Sequence, residues 1–265
     1  MEGEDRVSAL QARLAEAGYI AERSLSASLL LFTEMQRPLL LEGDAGVGKT
    51  EIANVIATIH DCPLIRLQCY EGLDVNSAVY EWNYQHQLLS IKLLEQDHVS
   101  AESAEQTIFS KRSLLERPLL AAITQPQSTV LLIDEIDRAD EEFEAYLLEL
   151  LSDFQVSIPE LGTIPATSRP CVVITSNGTP ELSDALRRRC FYNYVDYPEF
   201  DKELRIVNAR LPQIGPQLSR QVVAFVQDLR KIDLRKTPGG AETLDWAGAL
   251  FKLGISSLDA EPQLL

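Results

Sequence analysis

The spacing of apolar residues changes several times along the chain, and each change marks a different element. Leu39, Leu40 and Leu41 form an uninterrupted apolar run, which at this length marks a strand buried on both faces. "TVLLID" (129–134) and "CVVIT" (171–175) repeat that pattern, and "PLIRLQCY" (63–70) and "YNYV" (192–195) are further strand candidates. Between the strands the period becomes helical. Ile52, Val55, Ile56 and Ile59 line one face, and Phe143, Tyr146, Leu147, Leu150 and Leu151 follow i, i+3, i+4, i+7, i+8 with acids between them. Strands alternating with helices predict an α/β fold with a parallel five-stranded sheet covered on both faces.

Ahead of the first strand, Val7, Leu10, Leu14 and Ala17, then Leu25, Leu29 and Phe32, predict two helices around "AGYIAERS". Two stretches interrupt the alternation. Residues 71–127 are long, polar and weakly periodic, and residues 154–169, "FQVSIPELGTIPATSR", are punctuated by Pro and Gly like a hairpin; both read as insertions on the sheet. After "DYPEF" only helical periods remain, carried by Leu204, Val207 and Leu211, by Leu218, Val222, Phe225, Val226 and Leu229, and by Leu244, Ala247 and Phe251. "TPGG" (237–240) is the break before the last of these helices. The organisation expected is an α/β domain over residues 1–198 and a small all-helical domain over residues 199–265.

Composition narrows the function classes. The 265 residues, 45% apolar, suffice for one large domain and a small one. A formal charge of -16 repels a phosphate backbone from most of the surface, so nucleic acid is not an expected partner. No run of about 18 apolar residues predicts a membrane span. The start "MEGEDRVSAL" is acidic where an export leader would be basic, so the chain is expected to be cytoplasmic. Cys62, Cys69, Cys171 and Cys190 are isolated and read as reduced, mostly buried thiols, and His60, His86 and His98 show no metal-ligand spacing.

The chemistry is concentrated around the first strand. Gly43, Asp44, Ala45, Gly46, Val47, Gly48, Lys49 and Thr50 satisfy G-x-x-x-x-G-K-[ST], with a strand before and a helix after. The glycines let backbone N–H groups converge on one concave spot, the helix start adds its own unpaired N–H groups, and Lys49 supplies a charge for β- and γ-phosphates. The Thr50 hydroxyl is a ligand for Mg2+, and Asp134, at the end of a buried strand, is placed to hold the metal's shell. Glu135, one residue on, is a candidate to polarise an attacking water. Asn177, with Thr175 and Ser176 as lesser candidates, follows the next strand and would deliver a neutral polar group toward that water. Asp137 is ambiguous, and Asp140 reads as the cap of the following helix.

"SDALRRRC" (183–190) raises a separate question, because Arg187, Arg188 and Arg189 stand side by side. On a helix they point about 100° apart, so at most one or two serve any one phosphate. The chain between Asn177 and this helix is short, which favours a neighbouring subunit's nucleotide as their target. The competing reading is a helix end whose arginines pair with surface acids.

The series GDAGVGKT, LLIDEID, VVITSNGT and ALRRRC, followed by an all-helical tail, resembles an AAA+ ATPase over about residues 35–250. Within that superfamily it resembles the MoxR group. "RLQCYEGLDVNSAVYEWNYQHQLLSIK" is further similar to the CoxD-like branch, whose namesake assists maturation of the molybdenum-copper carbon monoxide dehydrogenase. The resemblance implies a P-loop NTPase core with a helical lid, using ATP and Mg2+. It implies Lys49 and Thr50 as Walker A, Asp134 and Glu135 as Walker B, Asn177 as sensor 1, and Arg189 as the arginine finger, with Arg188 able to share the task. The sensor 2 station departs from the family pattern: Arg235 and Lys236 precede the Pro-Gly-Gly break where a lid-helix arginine is usual.

The resemblance also implies a homo-oligomeric ring, usually a hexamer, that remodels a client protein. It further implies a metalloenzyme as that client, assisted by a partner with a metal-ion-dependent adhesion domain. Tyr80, Trp82 and Tyr84 are candidates for client or pore contact, although their spacing of two equally fits a half-buried strand. The other classes are a P-loop phosphotransferase and a DNA-directed AAA+ motor. A kinase has no need of an arginine in trans, and a DNA motor would want basic inserts, whereas residues 71–110 carry only Lys92 among several acids.

Overall fold

The computed structural model describes residues 2–96, 101–178 and 182–258. Helices α1 (Glu2–Glu16) and α2 (Arg23–Met35) precede β1 (Leu39–Glu42), which leads through the glycine-rich loop into α3 (Lys49–His60) and β2 (Leu64–Gln68). The segment before β5 (Val130–Asp134) holds α4 (Val75–Val79), β3 (Tyr80–Trp82), α5 (Tyr84–Gln96), α6 (Ala101–Ile108), β4 (Leu114–Glu116) and α7 (Pro118–Thr124). Then follow α8 (Glu141–Asp153), a hairpin of β6 (Gln155–Ile158) and β7 (Gly162–Pro165), β8 (Cys171–Ser176), α9 (Asp184–Arg189) and β9 (Phe191–Tyr194). Helices α10 (Phe200–Arg210), α11 (Pro216–Leu229) and α12 (Gly240–Lys252) form the C-terminal part, and the last residues of the segment 199–265 lie outside the described chain.

The central sheet has the order β2-β5-β8-β1-β9 with every pair parallel, the α/β architecture expected from the apolar runs. Successive strand residues face opposite sides, and the two sides have separate cores. Leu39, Leu41, Val130, Leu132 and Val173 pack with Leu14, Leu29 and Phe32 of the first two helices and with Ile52 and Ile56 of α3. Leu40, Leu131, Ile133, Val172 and Ile174 pack on the other side with Leu119 and Ile123 of α7, Phe143 and Leu147 of α8, and Leu186 of α9. Burial on both faces is why these strands read as uninterrupted apolar runs.

The 71–127 segment divides in two. Helices α4 and α7 belong to the sheet's own cover, since Ala78, Val79, Leu119, Leu120, Ala122 and Ile123 are buried in the core with Leu131 and Ile133. The β3–β4 ladder and helices α5 and α6 make up the rest of it. Tyr80 and Trp82 lie on β3 half-buried, with the Trp82 ring edge-on to Phe109 at 5.3 Å, whereas Tyr84 starts α5 and is exposed. The spacing of two therefore marks a strand for the first two aromatics only.

The C-terminal helices have their own core of Val207, Ile214, Leu218, Val222, Val223 and Ala247. A buried ion pair clasps them together. Glu203 of α10 accepts from Arg230 at 2.6 and 2.7 Å, from Thr243 of α12 at 2.7 Å and from Gln227 of α11 at 2.7 Å. This satisfies both carboxylate oxygens inside the helical layer.

Candidate functional site

Strands β5, β8 and β1 are adjacent in the sheet, so their C-terminal ends bring Asp134, Asn177 and the Gly43–Thr50 loop to one edge, where open parallel sheets hold ligands. The C-terminal helices stand across that edge. Between them lies a cleft of about 510 Å³, lined by the loop from Ala45 to Thr50, by Asp134, Glu135, Thr175 and Asn177, and by Lys202, Arg210 and Leu244 from the helical part. Its size lies in the range of small-molecule pockets.

The loop takes its shape from glycine. Gly46 and Gly48 have φ of 80° and 94°, conformations that side chains resist, and Gly48 is the residue from which α3 starts. Gly43 is needed for a different reason: a Cβ there would sit 2.1 Å from the carbonyl oxygen of Val195. The Lys49 ammonium is buried and donates to the carbonyls of Gly43 (2.6 Å) and Asp44 (2.7 Å) and to Asn177 Oδ1 (3.1 Å). Burial lowers its pKa, and Asp137, Asp44, Asp134 and Glu135 pull the other way.

Asp134 is the most heavily bonded group in the cleft. Oδ1 accepts from Thr175 Oγ1 at 2.5 Å and from Thr50 Oγ1 at 3.1 Å, and Oδ2 accepts from Arg66 Nη2 at 2.5 Å. Thr175 also accepts the backbone N–H of Glu135 at 2.9 Å, so one β8 hydroxyl fixes both acidic positions. Glu135 itself has φ 56° and ψ 50°, a left-handed conformation that is costly for a residue with a Cβ. Its carboxylate pairs with Arg138 at 2.8 Å.

Asn177 is oriented by Asp137, whose carboxylate accepts its backbone N–H at 3.0 Å and its side-chain amide at 3.4 Å. That contact turns Oδ1 toward Lys49, so Asp137 is a positioning group that its place in "DEID" left unassigned. Asp140 accepts the N–H of Phe143 and caps α8.

The three arginines separate. Arg187 reaches Glu42, the residue before Gly43, at 3.0 Å in a partly buried ion pair. Arg188 is exposed with Asp184 as a distant partner at 3.8 Å, and Arg189 is exposed. Arg37 holds the end of α9 by donating to the carbonyls of Arg188 and Arg189. None of the three lines the chain's own cleft. Lys236 pairs with Glu242, and neither it nor Arg235 lines the cleft. The cations that the helical part does bring there, Lys202 and Arg210, pair with Glu22 and Glu51. Sequence reasoning passed over both, because their partners lie more than 150 positions away.

The donor set suits a nucleotide with its metal. The hydroxyl of Thr50 and the carboxylate of Asp134 already touch, beside a buried ammonium and a loop of turned backbone N–H groups. Among the described residues no cluster of three or more His, Cys, Asp or Glu could hold a metal alone. Mg2+ suits the Thr50 and Asp134 oxygens, since it takes one or two protein oxygens together with phosphates and water.

Comparison with known proteins bears on the family and the fold. Residues 38–190 match the family described as AAA domain (dynein-related subfamily). An uncharacterized protein of Staphylococcus aureus strain USA300 is 26% identical over 204 residues, 74% of this chain and 70% of its own length. An uncharacterized protein of Staphylococcus epidermidis matches to the same extent. The crystal structure of a candidate ATPase from Cytophaga hutchinsonii superposes with a TM-score of 0.53 at 16% identity. That match covers 95% of this chain but 64% of the other, so the chain spans less than two thirds of that protein. Among the described residues no helix is long and apolar enough to cross a membrane.

Proposed function

Because the chain belongs to the AAA domain family, dynein-related subfamily, and is on that ground an ATPase, we propose that it binds ATP with Mg2+ between sheet and lid and hydrolyses it there. The observation that carries this reading is the convergence of Lys49, Thr50, Asp134, Glu135 and Asn177 on one cleft closed by the C-terminal helices. The Gly43–Thr50 backbone and the start of α3 cradle the phosphates, and Lys49 transfers its contacts from loop carbonyls to β- and γ-oxygens. Mg2+, with Thr50 and the Asp134 carboxylate beside it, would supply charge neutralisation between those phosphates. Glu135 takes the proton of the attacking water, and Asn177, held by Asp137, orients that water.

Arg188 and Arg189 complete the reaction from a neighbouring subunit, Arg189 foremost. This follows from their exposure on α9, away from their own cleft, while Arg187 ties the helix to Glu42. The assembly is a homo-oligomeric ring, a hexamer in the MoxR-like form that the motif series resembles. Its work is remodelling of a client protein in the cytoplasm. The likeness of residues 66–92 to the CoxD branch supports a metalloenzyme client of the carbon monoxide dehydrogenase type, assisted by a metal-ion-dependent adhesion domain protein. Turnover per subunit should fall on dilution, and an R188A/R189A protein should lose about 10³-fold in rate. Turnover independent of dilution, unchanged by those substitutions, would sink the shared site.

A further inference from the structure

Strand β2 is an edge of the sheet, paired with β5 alone, and it places Arg66 and Gln68 on one face, with Gln68 level with Asp134. Arg66 extends along the strand so that one nitrogen, Nη2, donates both to Asp134 Oδ2 and to Gln68 Oε1 at 2.5 Å. The Asp134 side chain is 5% exposed, and Arg66 is the cation bonded to it among the described residues; the nearby Lys49 ammonium is turned to Gly43, Asp44 and Asn177 instead. Arg66 is 52% exposed, so its guanidinium is free to swing outward without opening a cavity.

We infer that Arg66 is the resident counter-ion of the metal carboxylate and yields Asp134 when Mg2+ enters with nucleotide, so that it sets how strongly the metal enhances nucleotide binding. The inference rests on the cleft being a Mg-nucleotide site. Thr50 is bonded to Oδ1 and Arg66 to Oδ2 of the same carboxylate, so a hydrated dication seated beside Thr50 stands close to the guanidinium, and the two cations repel. Metal entry therefore weakens the charge-assisted bond from Arg66 to Asp134. Gln68 keeps a contact for the displaced guanidinium, which makes the exchange reversible. Arg66 acts through Asp134 and is a positioning residue.

The test is the affinity for ADP, by titration calorimetry on the full chain, in excess Mg2+ and in EDTA. Wild-type protein should show a Mg2+ enhancement, and R66Q should show one about fivefold larger while binding ADP in EDTA within twofold of wild type. R66K, which keeps the charge, should stay within twofold of wild type in both conditions. An equal or smaller enhancement in R66Q, or an R66K enhancement as large as that of R66Q, overturns the inference and leaves the site reading intact. Wild-type protein that binds ADP in neither condition overturns both.

Discussion

The lid rests on the phosphate loop through two glycines, and this contact gives a quantitative prediction. Gly239, the residue before α12, has φ -87° and ψ -175°, an extended conformation open to any residue. Alanine there adds no backbone strain. Its Cβ, however, would lie 2.7 Å from Gly46 Cα and 2.7 Å from the Gly46 carbonyl oxygen. Ordinary contact begins at 3.4 Å, and both sides of this one are backbone, so the lid must retreat by several tenths of an ångström. The retreat strains the 2.9 Å bond from Gly240 N–H to the Gly46 carbonyl. Overpacking of this kind costs about 1–3 kcal/mol. Gly46, Gly240 and Leu244 all line the cleft, so if nucleotide binding draws on this seating of lid on loop, that cost becomes a loss of roughly 5- to 150-fold in ADP affinity. Calorimetric titration of G239A with Mg-ADP measures it. G248A is the control: it lies in the same helix with nothing within 4 Å of its added Cβ, so it should leave affinity unchanged and raise stability slightly. ADP affinity of G239A within twofold of wild type would refute the seating of lid on loop.

Two further outcomes follow. E203Q leaves the Arg230 guanidinium, 8% exposed, without its counter-charge, at a cost of about 3 kcal/mol after the remaining bond to the Pro238 carbonyl and the Tyr197 ring face; at about 2–4 °C per kcal/mol for cooperative melting of the whole chain, calorimetry should show the protein melting roughly 6–12 °C lower. Burial pushes the thiols of Cys69 and Cys190 up to about 12 from 9.0, so between pH 9 and 12 the unfolded chain releases protons that the folded chain keeps. Stability should fall across that window by up to about 1.4 kcal/mol per pH unit for each thiol, and denaturant melts of a C69A/C190A protein should show a flatter decline.

Features that depend on local spacing were legible in the sequence. Buried strands announce themselves as apolar runs, and the loop from Gly43 to Thr50 is defined by consecutive residues. Asp134 and Asn177 were accessible because each ends such a run, and neighbouring parallel strands bring those ends together. Features that depend on register or distant pairing were not. Arg66 looks like one charge in a strand until β2 is set beside β5, and Arg187 is indistinguishable from Arg188 until Glu42, 145 positions earlier, is found against it. Helix α7 was hidden by length: its seven residues are too few to establish a helical period inside a polar segment, although four of them are fully buried. The lid cations Lys202 and Arg210 face the cleft through the packing of one layer on another, for which periodicity carries no signal.

Glu135, held in its left-handed turn beside Thr175 and Asp134, is the residue proposed to activate the water that attacks bound ATP. E135Q keeps the side chain's shape and removes its basicity. Measured side by side, ATP binding and phosphate release should part: binding within a few-fold of wild type, release slowed about 10²- to 10⁴-fold. Release at the wild-type rate from E135Q protein would contradict the account.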